Sequence, residues 1–394
     1  MAHEGSVFYS RLAERGVSRR DFLKFCGATA AMLGLSETMV PTIAAAFEEA
    51  SLQPLAPALW VNGGACTGCT ESAAQSTYPN IATIVLDLLS MNYIETVMMA
   101  QGDGAEEALQ KTAEANEGKF IMIYEGSVMT GLEGNTLIIR GEPSLKVLDE
   151  LGPKAAAVIA VGSCAVDGGW VRSVPSTGQP GIPSNPDDWC TGVSQYFAKK
   201  GIKTPVVNLP TCPVNPEWIV AMVVDVLLLG GLGEGAPILD KLDAYGRPKL
   251  IFGQTIHDNC PRRGHFENGE FVYQFGSVEE AKGYCLYPVG CKGPQTYTNC
   301  PIVRWNDRVS WCVESGSPCI GCGDFNWVDE NAPFLGRMRQ VGVGSGPNNA
   351  GFNPATAAAV AGGAVVVALG AHAAGMAATG RLGGSADKEK GGDK

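Results

Sequence analysis

The residues best able to do chemistry in this chain are cysteines, and three of their positions lie just past apolar, strand-like runs far apart in sequence. Leu59-Trp60-Val61 leads to Cys66 and Cys69, Ala157 to Val161 leads to Cys164, and Val206 to Leu209 leads to Cys212. In an open parallel sheet, ligands bind in the crevice beyond the carboxyl ends of the strands, so these four thiols can converge on one point. Four converging thiolates read as a metal site.

The other cysteines are denser. His257-x2-Cys260, Cys285-x5-Cys291 and Cys300-x11-Cys312-x6-Cys319-x2-Cys322 fall in a stretch rich in Gly, Pro, Asn and aromatic residues. Such a stretch cannot build a large apolar core, so cross-links or metals must hold it. Of thirteen cysteines, Cys26 lies in an N-terminal leader. Three groups of four ligands use eleven of the remaining twelve plus His257, and Cys190 is left over as a free or packed thiol. An even set of cysteines also permits disulfides, but such frameworks staple small domains. Zinc is the stronger competitor, because Cys-x2-Cys pairs bind zinc. Zinc sites draw on ligands close in sequence, however, and Cys66 to Cys212 are spread across a strand and helix pattern, which favours an iron-sulfur cluster at a fold crevice.

The elements that must position these ligands alternate. Thr83–Leu89, Thr96–Met99, Phe120–Tyr124, Leu137–Arg140, Ala157–Val161 and Pro205–Leu209 read as strands or short buried elements, and Ala105–Ala115, Ser144–Leu151 and Pro216–Leu229 as helices. That alternation predicts a doubly wound α/β domain. Pro216 suits a first helical position after Asn215 as cap, which leaves Cys212 in a strand-to-helix loop. Gly63, Gly64 and Gly68 allow the close backbone approach that a bulky cluster needs, or simply a tight turn. The turn around Cys66 has neither G-x-G-x-x-G nor G-x-x-x-x-G-K-[ST], which argues against nucleotide binding.

Composition fits a packed globular body, with 45% hydrophobic and 18% charged residues. A net charge of -11 argues against nucleic-acid binding. At the N-terminus, Ser18-Arg19-Arg20-Asp21-Phe22-Leu23-Lys24, a weakly apolar run to Leu35 and Ala44-Ala45-Ala46 resemble a twin-arginine export signal over residues 1–46. At the other end, Ala355 to Ala378 carries no charged side chain and is long enough to span a bilayer. Lys388, Lys390 and Lys394 would then be cytoplasmic, with the body outside. A soluble Ala-rich helix is the alternative, and His372 within it reads as a tolerated side chain.

Together, Cys66-Thr67-Gly68-Cys69-Thr70-Glu71-Ser72, Gly162-Ser163-Cys164-Ala165, Pro210-Thr211-Cys212-Pro213, His257-x2-Cys260-Pro261-Arg262-Arg263, Cys300-Pro301 and Pro318-Cys319-Ile320-Gly321-Cys322 resemble the small subunit of a membrane-anchored, uptake-type nickel-iron hydrogenase. The resemblance covers nearly the whole chain. It implies a leader (1–46), a flavodoxin-like domain (47–235), a mostly irregular iron-sulfur domain (236–340), a linker (341–354), a transmembrane anchor (355–379) and a cytoplasmic tail (380–394).

Carried over residue by residue, it assigns Cys66, Cys69, Cys164 and Cys212 to a proximal 4Fe-4S cluster and His257, Cys260, Cys285 and Cys291 to a distal 4Fe-4S cluster. An imidazole ligand lowers a cluster's net negative charge and so raises its potential. Cys300, Cys319 and Cys322 match the medial ligands. Many relatives carry Pro where this chain has Cys312 and hold a 3Fe-4S cluster; a thiolate at Cys312 would complete a 4Fe-4S medial cluster, unless it points away. Oxygen-tolerant relatives add two cysteines at positions corresponding to Gly68 and Gly169, so the resemblance implies an ordinary proximal cubane here. Glu71 is either a group at the partner interface or a helix-start carboxylate.

The paired motifs Arg-x-Cys-x2-Cys and Asp-Pro-Cys-x2-Cys that hold nickel and iron in the family's large subunit are absent, so hydrogen activation is expected on that partner. The chain is then expected to relay electrons to a membrane acceptor of cytochrome b type, feeding the quinone pool from the periplasmic side of the cytoplasmic membrane. The alternative is an electron-transfer subunit of another respiratory complex, similar to the quinone-linked subunit of complex I. That reading leaves Cys260 to Cys322 without a purpose.

Overall fold

Short apolar runs form the central sheet because their side chains can be buried on both faces. The structure is a computed structural model that describes residues 7–14, 16–32, 36–50, 55–76, 89–173, 189–228, 241–306, 308–336 and His372. Its strands are β1 (Ala56–Asn62), β2 (Leu89–Ile94), β3 (Ile121–Glu125), β4 (Val128–Met129), β5 (Ile138–Ile139), β6 (Glu142–Pro143), β7 (Ala157–Val161), β8 (Cys190–Thr191) and β9 (Val206–Leu209). Five of them make one parallel sheet in the order β2-β1-β3-β7-β9. This is the 2-1-3-4-5 order of flavodoxin-like sheets, and the switch between β1 and β3 opens a crevice at the carboxyl ends.

The period of two sorts residues between the faces. Leu59, Val61, Met122, Tyr124, Val158 and Ala160 join one buried cluster, packed under Asp103–Ala115, Leu145–Leu151 and Val193–Lys200. Ala58, Trp60, Ile121, Ile123, Ile159 and Val161 join the other, with Pro216–Leu228. Asn215 caps that helix, its Oδ1 accepting from Glu217 N at 3.0 Å, as the sequence predicts.

Three expected strands fare differently. Thr96–Met99 is not a strand: it follows β2 as a turn and loop. The last β1–β2 pair is Trp60 with Ile94; beyond it the Glu95 carboxylate, not a strand, accepts from Asn62 N at 3.3 Å. Thr83–Leu89 lies outside the described residues except for Leu89, which begins β2. Leu137–Arg140 contributes only Ile138–Ile139, paired with β6 outside the main sheet.

Among the described residues from 241 to 336 the α-helices shrink to four or five residues. Single bridges, Thr255 with Tyr297, Phe271 with Cys285 and Trp305 with Ser310, replace a sheet. A buried ion pair, Arg247 Nε to Asp243 Oδ2 at 2.8 Å, stands at the entry to this region, and Arg247 Nη1 donates to Gly323 O at 2.9 Å.

Residues 1–339 form one compact unit and 340–394 a second. In the first, Val7–Glu14, Arg19–Met32 and Val40–Ala50 are helical. Phe22 and Phe25 pack edge-on to Phe47, with centroids 5.6 and 5.4 Å away. Arg19 and Arg20 are exposed. The expected anchor lies outside the described residues apart from His372, which is helical and exposed. Among the described residues no helix is long and apolar enough to cross a membrane.

Candidate metal centres

The crevice beyond the carboxyl ends of β1, β7 and β9 gathers the first four thiols. Cys66 follows β1 in a loop, and Cys69 lies in the first turn of helix Gly68–Ala74. Cys164 lies in helix Gly162–Asp167 directly after β7, and Cys212 in the loop after β9. Burial dominates their electrostatics. Burial pushes the Cys69 thiol well up, Glu125 adds to this, and Cys164 and Cys212 add further. Burial likewise lifts Cys164, with Cys66 contributing, and pushes Cys212 up to about 11, with Cys164 and Cys66 contributing. Such thiols keep their protons until a cation of sufficient charge displaces them, which is the behaviour of a metal site.

The glycines that leave room for a group are not all those the sequence indicates. A Cβ on Gly63 would run into Tyr124 and Ser127, and one on Gly64 into Met129, so these two serve packing against β3 and β4. A Cβ on Gly68 would lie 3.1 Å from Cys66 Sγ, one on Gly162 2.5 Å from Cys69 Sγ, and one on Gly169 3.0 Å from Cys164 Sγ. Gly162 also sits at φ +84°, where only glycine is unstrained. Space around the sulfurs is therefore kept by glycine.

Two residues that sequence reasoning missed fix this set. Glu125, 2% exposed, ends β3 between the cysteine-bearing β1 and β7. Its carboxylate accepts from Trp60 Nε1 at 3.1 Å, Cys69 N at 2.9 Å, Thr70 N at 3.0 Å and Thr70 Oγ1 at 2.5 Å. A carboxylate closing an otherwise apolar central strand was the available signal. Ser163 joins three ligand loops: its N donates to Thr211 O at 3.0 Å, Thr211 N donates to its Oγ at 3.1 Å, and its Oγ donates to Cys322 O at 3.0 Å.

Cys300, Cys312, Cys319 and Cys322 form the second set. Cys300 opens helix Cys300–Val303, and its sulfur accepts from Thr298 Oγ1 at 3.0 Å. Trp218 and Asn215 of the α/β half hold the same loop, through Asn299 Oδ1 at 2.9 Å and Arg304 O at 2.6 Å. Cys312 is an exposed residue, yet burial raises its thiol and it acts on the thiols of Cys300, Cys319 and Cys322.

His257, Cys260, Cys285 and Cys291 line one small pocket, together with Ile256, Arg262 and Tyr287. Burial lowers the His257 pKa and Arg263 lowers it further, favouring the neutral imidazole that ligates metals. Phe266 packs edge-on to the ring, with centroids 4.6 Å apart. Burial pushes Cys285 up to about 11, with Cys291 and Cys260 adding to it.

The sets also touch one another. Ser163, beside Cys164, donates its Oγ to Cys322 O at 3.0 Å, and Lys292 N, next to Cys291, donates to Cys319 O at 2.8 Å. The second set thus lies between the other two. Cys190, fully buried in β8, belongs to none of them; burial pushes its thiol up to about 12. Among the described residues no three His, Cys, Asp or Glu are close enough to hold a single metal ion. A cluster takes one protein ligand on each of several irons, and the room that Gly68, Gly162 and Gly169 keep beside the first set's sulfurs fits that demand.

Comparison with known proteins distinguishes the two electron-transfer readings. Residues 252–335 match the family model for the C-terminal part of the NiFe/NiFeSe hydrogenase small subunit, and residues 66–226 match that of the NADH ubiquinone oxidoreductase 20 kDa subunit. The chain is 40% identical to the periplasmic [NiFe] hydrogenase small subunit of Solidesulfovibrio fructosivorans, over 82% of this chain and 94% of that one. It is 37% identical to the uptake hydrogenase small subunit of Azotobacter vinelandii, over 93% and 95%. A chain of the [NiFeSe] hydrogenase structure from Desulfovibrio vulgaris Hildenborough superposes with a TM-score of 0.64 at 37% identity, covering 72% of this chain and 98% of that one.

Proposed function

The chain belongs to the small-subunit family of nickel-iron hydrogenases, and from that premise we propose that its twelve ligands hold three clusters in line, proximal, medial and distal. It is the electron-transfer subunit of such an enzyme, an iron-sulfur protein partnered by the large catalytic subunit. Each cluster, when bound, takes up and releases one electron. The observation that carries the order is the pair of hydrogen bonds between the ligand loops, Ser163 Oγ to Cys322 O and Lys292 N to Cys319 O.

Cys66, Cys69, Cys164 and Cys212 hold the proximal 4Fe-4S cluster in this reading, next to the large subunit. Glu125 orients the Cys69 backbone, and Gly68, Gly162 and Gly169 keep side chains away from the sulfurs. Cys312, between Cys300 and Cys319 in the chain, would be the fourth ligand that makes the medial cluster 4Fe-4S in place of 3Fe-4S. His257, Cys260, Cys285 and Cys291 hold the distal 4Fe-4S cluster, from which electrons leave for a cytochrome b type acceptor and the quinone pool. The twin-arginine leader and the uncharged run from Ala355 to Ala378 support export to the periplasmic side and a C-terminal anchor.

His257→Ala in the complex with the large subunit tests the relay. Hydrogen-deuterium exchange, which needs only the large subunit, should survive, while hydrogen-driven reduction of the membrane acceptor should fall at least tenfold. Equal acceptor reduction in the variant would overturn the distal assignment.

A further inference from the structure

Lys292 is 2% exposed, one of the most completely buried side chains of the molecule. Burying an ammonium is costly unless something negative faces it. Its Nζ donates to Gly336 O at 2.6 Å, a neutral partner. Burial lowers its pKa, and the sulfurs of Cys291, its neighbour in the chain, and of Cys319, whose O its backbone N reaches at 2.8 Å, act against this. These belong to different sets: Cys291 to the distal, Cys319 to the medial.

The backbone holds it there. Lys292 N donates to Cys319 O at 2.8 Å, tying the distal-ligand loop to the medial-ligand loop. Lys292 O accepts from Thr296 Oγ1 at 2.9 Å, and from Gln295 N and Thr296 N at 3.1 Å. A side chain anchored at both ends in a low-dielectric interior is a fixed charge, and fixed charges act strongly there.

We propose that Lys292 is a positioning residue for the last internal step of the relay, its ammonium stabilising the added electron on the medial and distal clusters alike. The inference rests on the relay reading. Reduction adds one electron, hence one negative charge, to a cluster, and a nearby cation favours that form and raises the potential. Lys292 follows a distal ligand in the chain and is bonded to the loop of a medial one, so it would draw electrons toward the exit.

The test is an EPR-monitored redox titration of the purified complex with the large subunit, comparing wild type with Lys292→Met, Lys292→Gln and Lys292→Arg. Both neutral variants should shift the reduced-to-oxidised equilibrium of the medial and distal clusters at least tenfold toward oxidised, which is 59 mV for a one-electron couple. The proximal potential should stay in place, and Arg should restore most of the shift. Should Met fail to assemble, Gln, which keeps a donor for Gly336 O and drops only the charge, decides. Unmoved medial and distal potentials in a neutral variant of full iron content would overturn the proposal. Equal movement of all three potentials, or loss of clusters from both neutral variants while Arg stays intact, would also overturn it in favour of a structural role. Wild-type complex with no medial or distal iron-sulfur signal would overturn the relay reading itself, and this inference with it.

Discussion

Cys66, Cys69, Cys164 and Cys212 hang from the ends of strands that have their own reasons to fold, whereas the ligands between His257 and Cys322 sit on turns with little else to order them. β3 and β7 are buried along their full length and would pair without any metal. The second region relies instead on single bridges, on side chains reaching from the α/β half such as Trp218 and Asn215, and on a few buried polar links such as Arg247 to Asp243. The difference teaches that a cluster is a guest in one half and a structural component in the other. Small regions without a sufficient core need such a staple.

The comparison breaks most visibly if a ligand is removed from each half. Cys164→Ser should cut hydrogen-driven electron transfer by roughly a hundredfold or more, beyond what outer-shell losses cost, yet leave the α/β half protease-resistant. Cys285→Ser should open residues 255–322 to limited proteolysis as well. Equal protease resistance of the two variants, followed by mass spectrometry of the fragments, would remove the distinction.

A smaller effect sharpens how the sheet holds its set. Glu125→Ala leaves Trp60 Nε1, Cys69 N and Thr70 N without their acceptor. It should lower stability by about 3 kcal/mol, since each orphaned buried donor costs about 1–3 kcal/mol and the site can partly relax. Denaturant titration of the apo protein measures this. A loss below ~0.5 kcal/mol would mean that the carboxylate is not what fixes the Cys69 turn.

The link between the halves is pH-dependent. Asp167 accepts from Gly169 N at 2.9 Å and from Asn326 N at 2.6 Å, and burial pushes its pKa up to about 6 from 3.8. The folded state therefore holds a proton that the unfolded chain has already released between pH 4 and 6. Stability should fall as pH rises through that window and level off above it, by about 3 kcal/mol in all. Asp167→Asn should flatten this slope. A wild-type profile that rises from pH 4 to 6, with the variant's unchanged from it, would contradict the assignment.

Much of this was legible in the sequence because the α/β half obeys local rules. The apolar runs at Phe120–Tyr124, Ala157–Val161 and Pro205–Leu209 became strands, Asn215-Pro216 became a helix start, and the carboxyl-end rule pointed at the proximal thiols. The bonds of Glu125 and Ser163 were not legible, because their partners lie up to 65 and 159 residues away in sequence. Thr96–Met99 misled because apolar content alone does not tell a strand from the turn that follows one. In the second half, periodicity carries no information, since its shape comes from contacts between turns. Only the ligand spacing was readable there, and Lys292, beside Cys291, became distinctive only once its burial was seen.

Iron and acid-labile sulfide analysis with EPR, on the complex purified anaerobically, tests the central claim most directly. Three cubanes predict about twelve irons per heterodimer beyond the catalytic centre and no three-iron signal in the mildly oxidised protein. About eleven irons with a strong three-iron signal not due to damage would contradict Cys312 as a ligand while sparing the relay; zinc in place of iron would contradict the account as a whole.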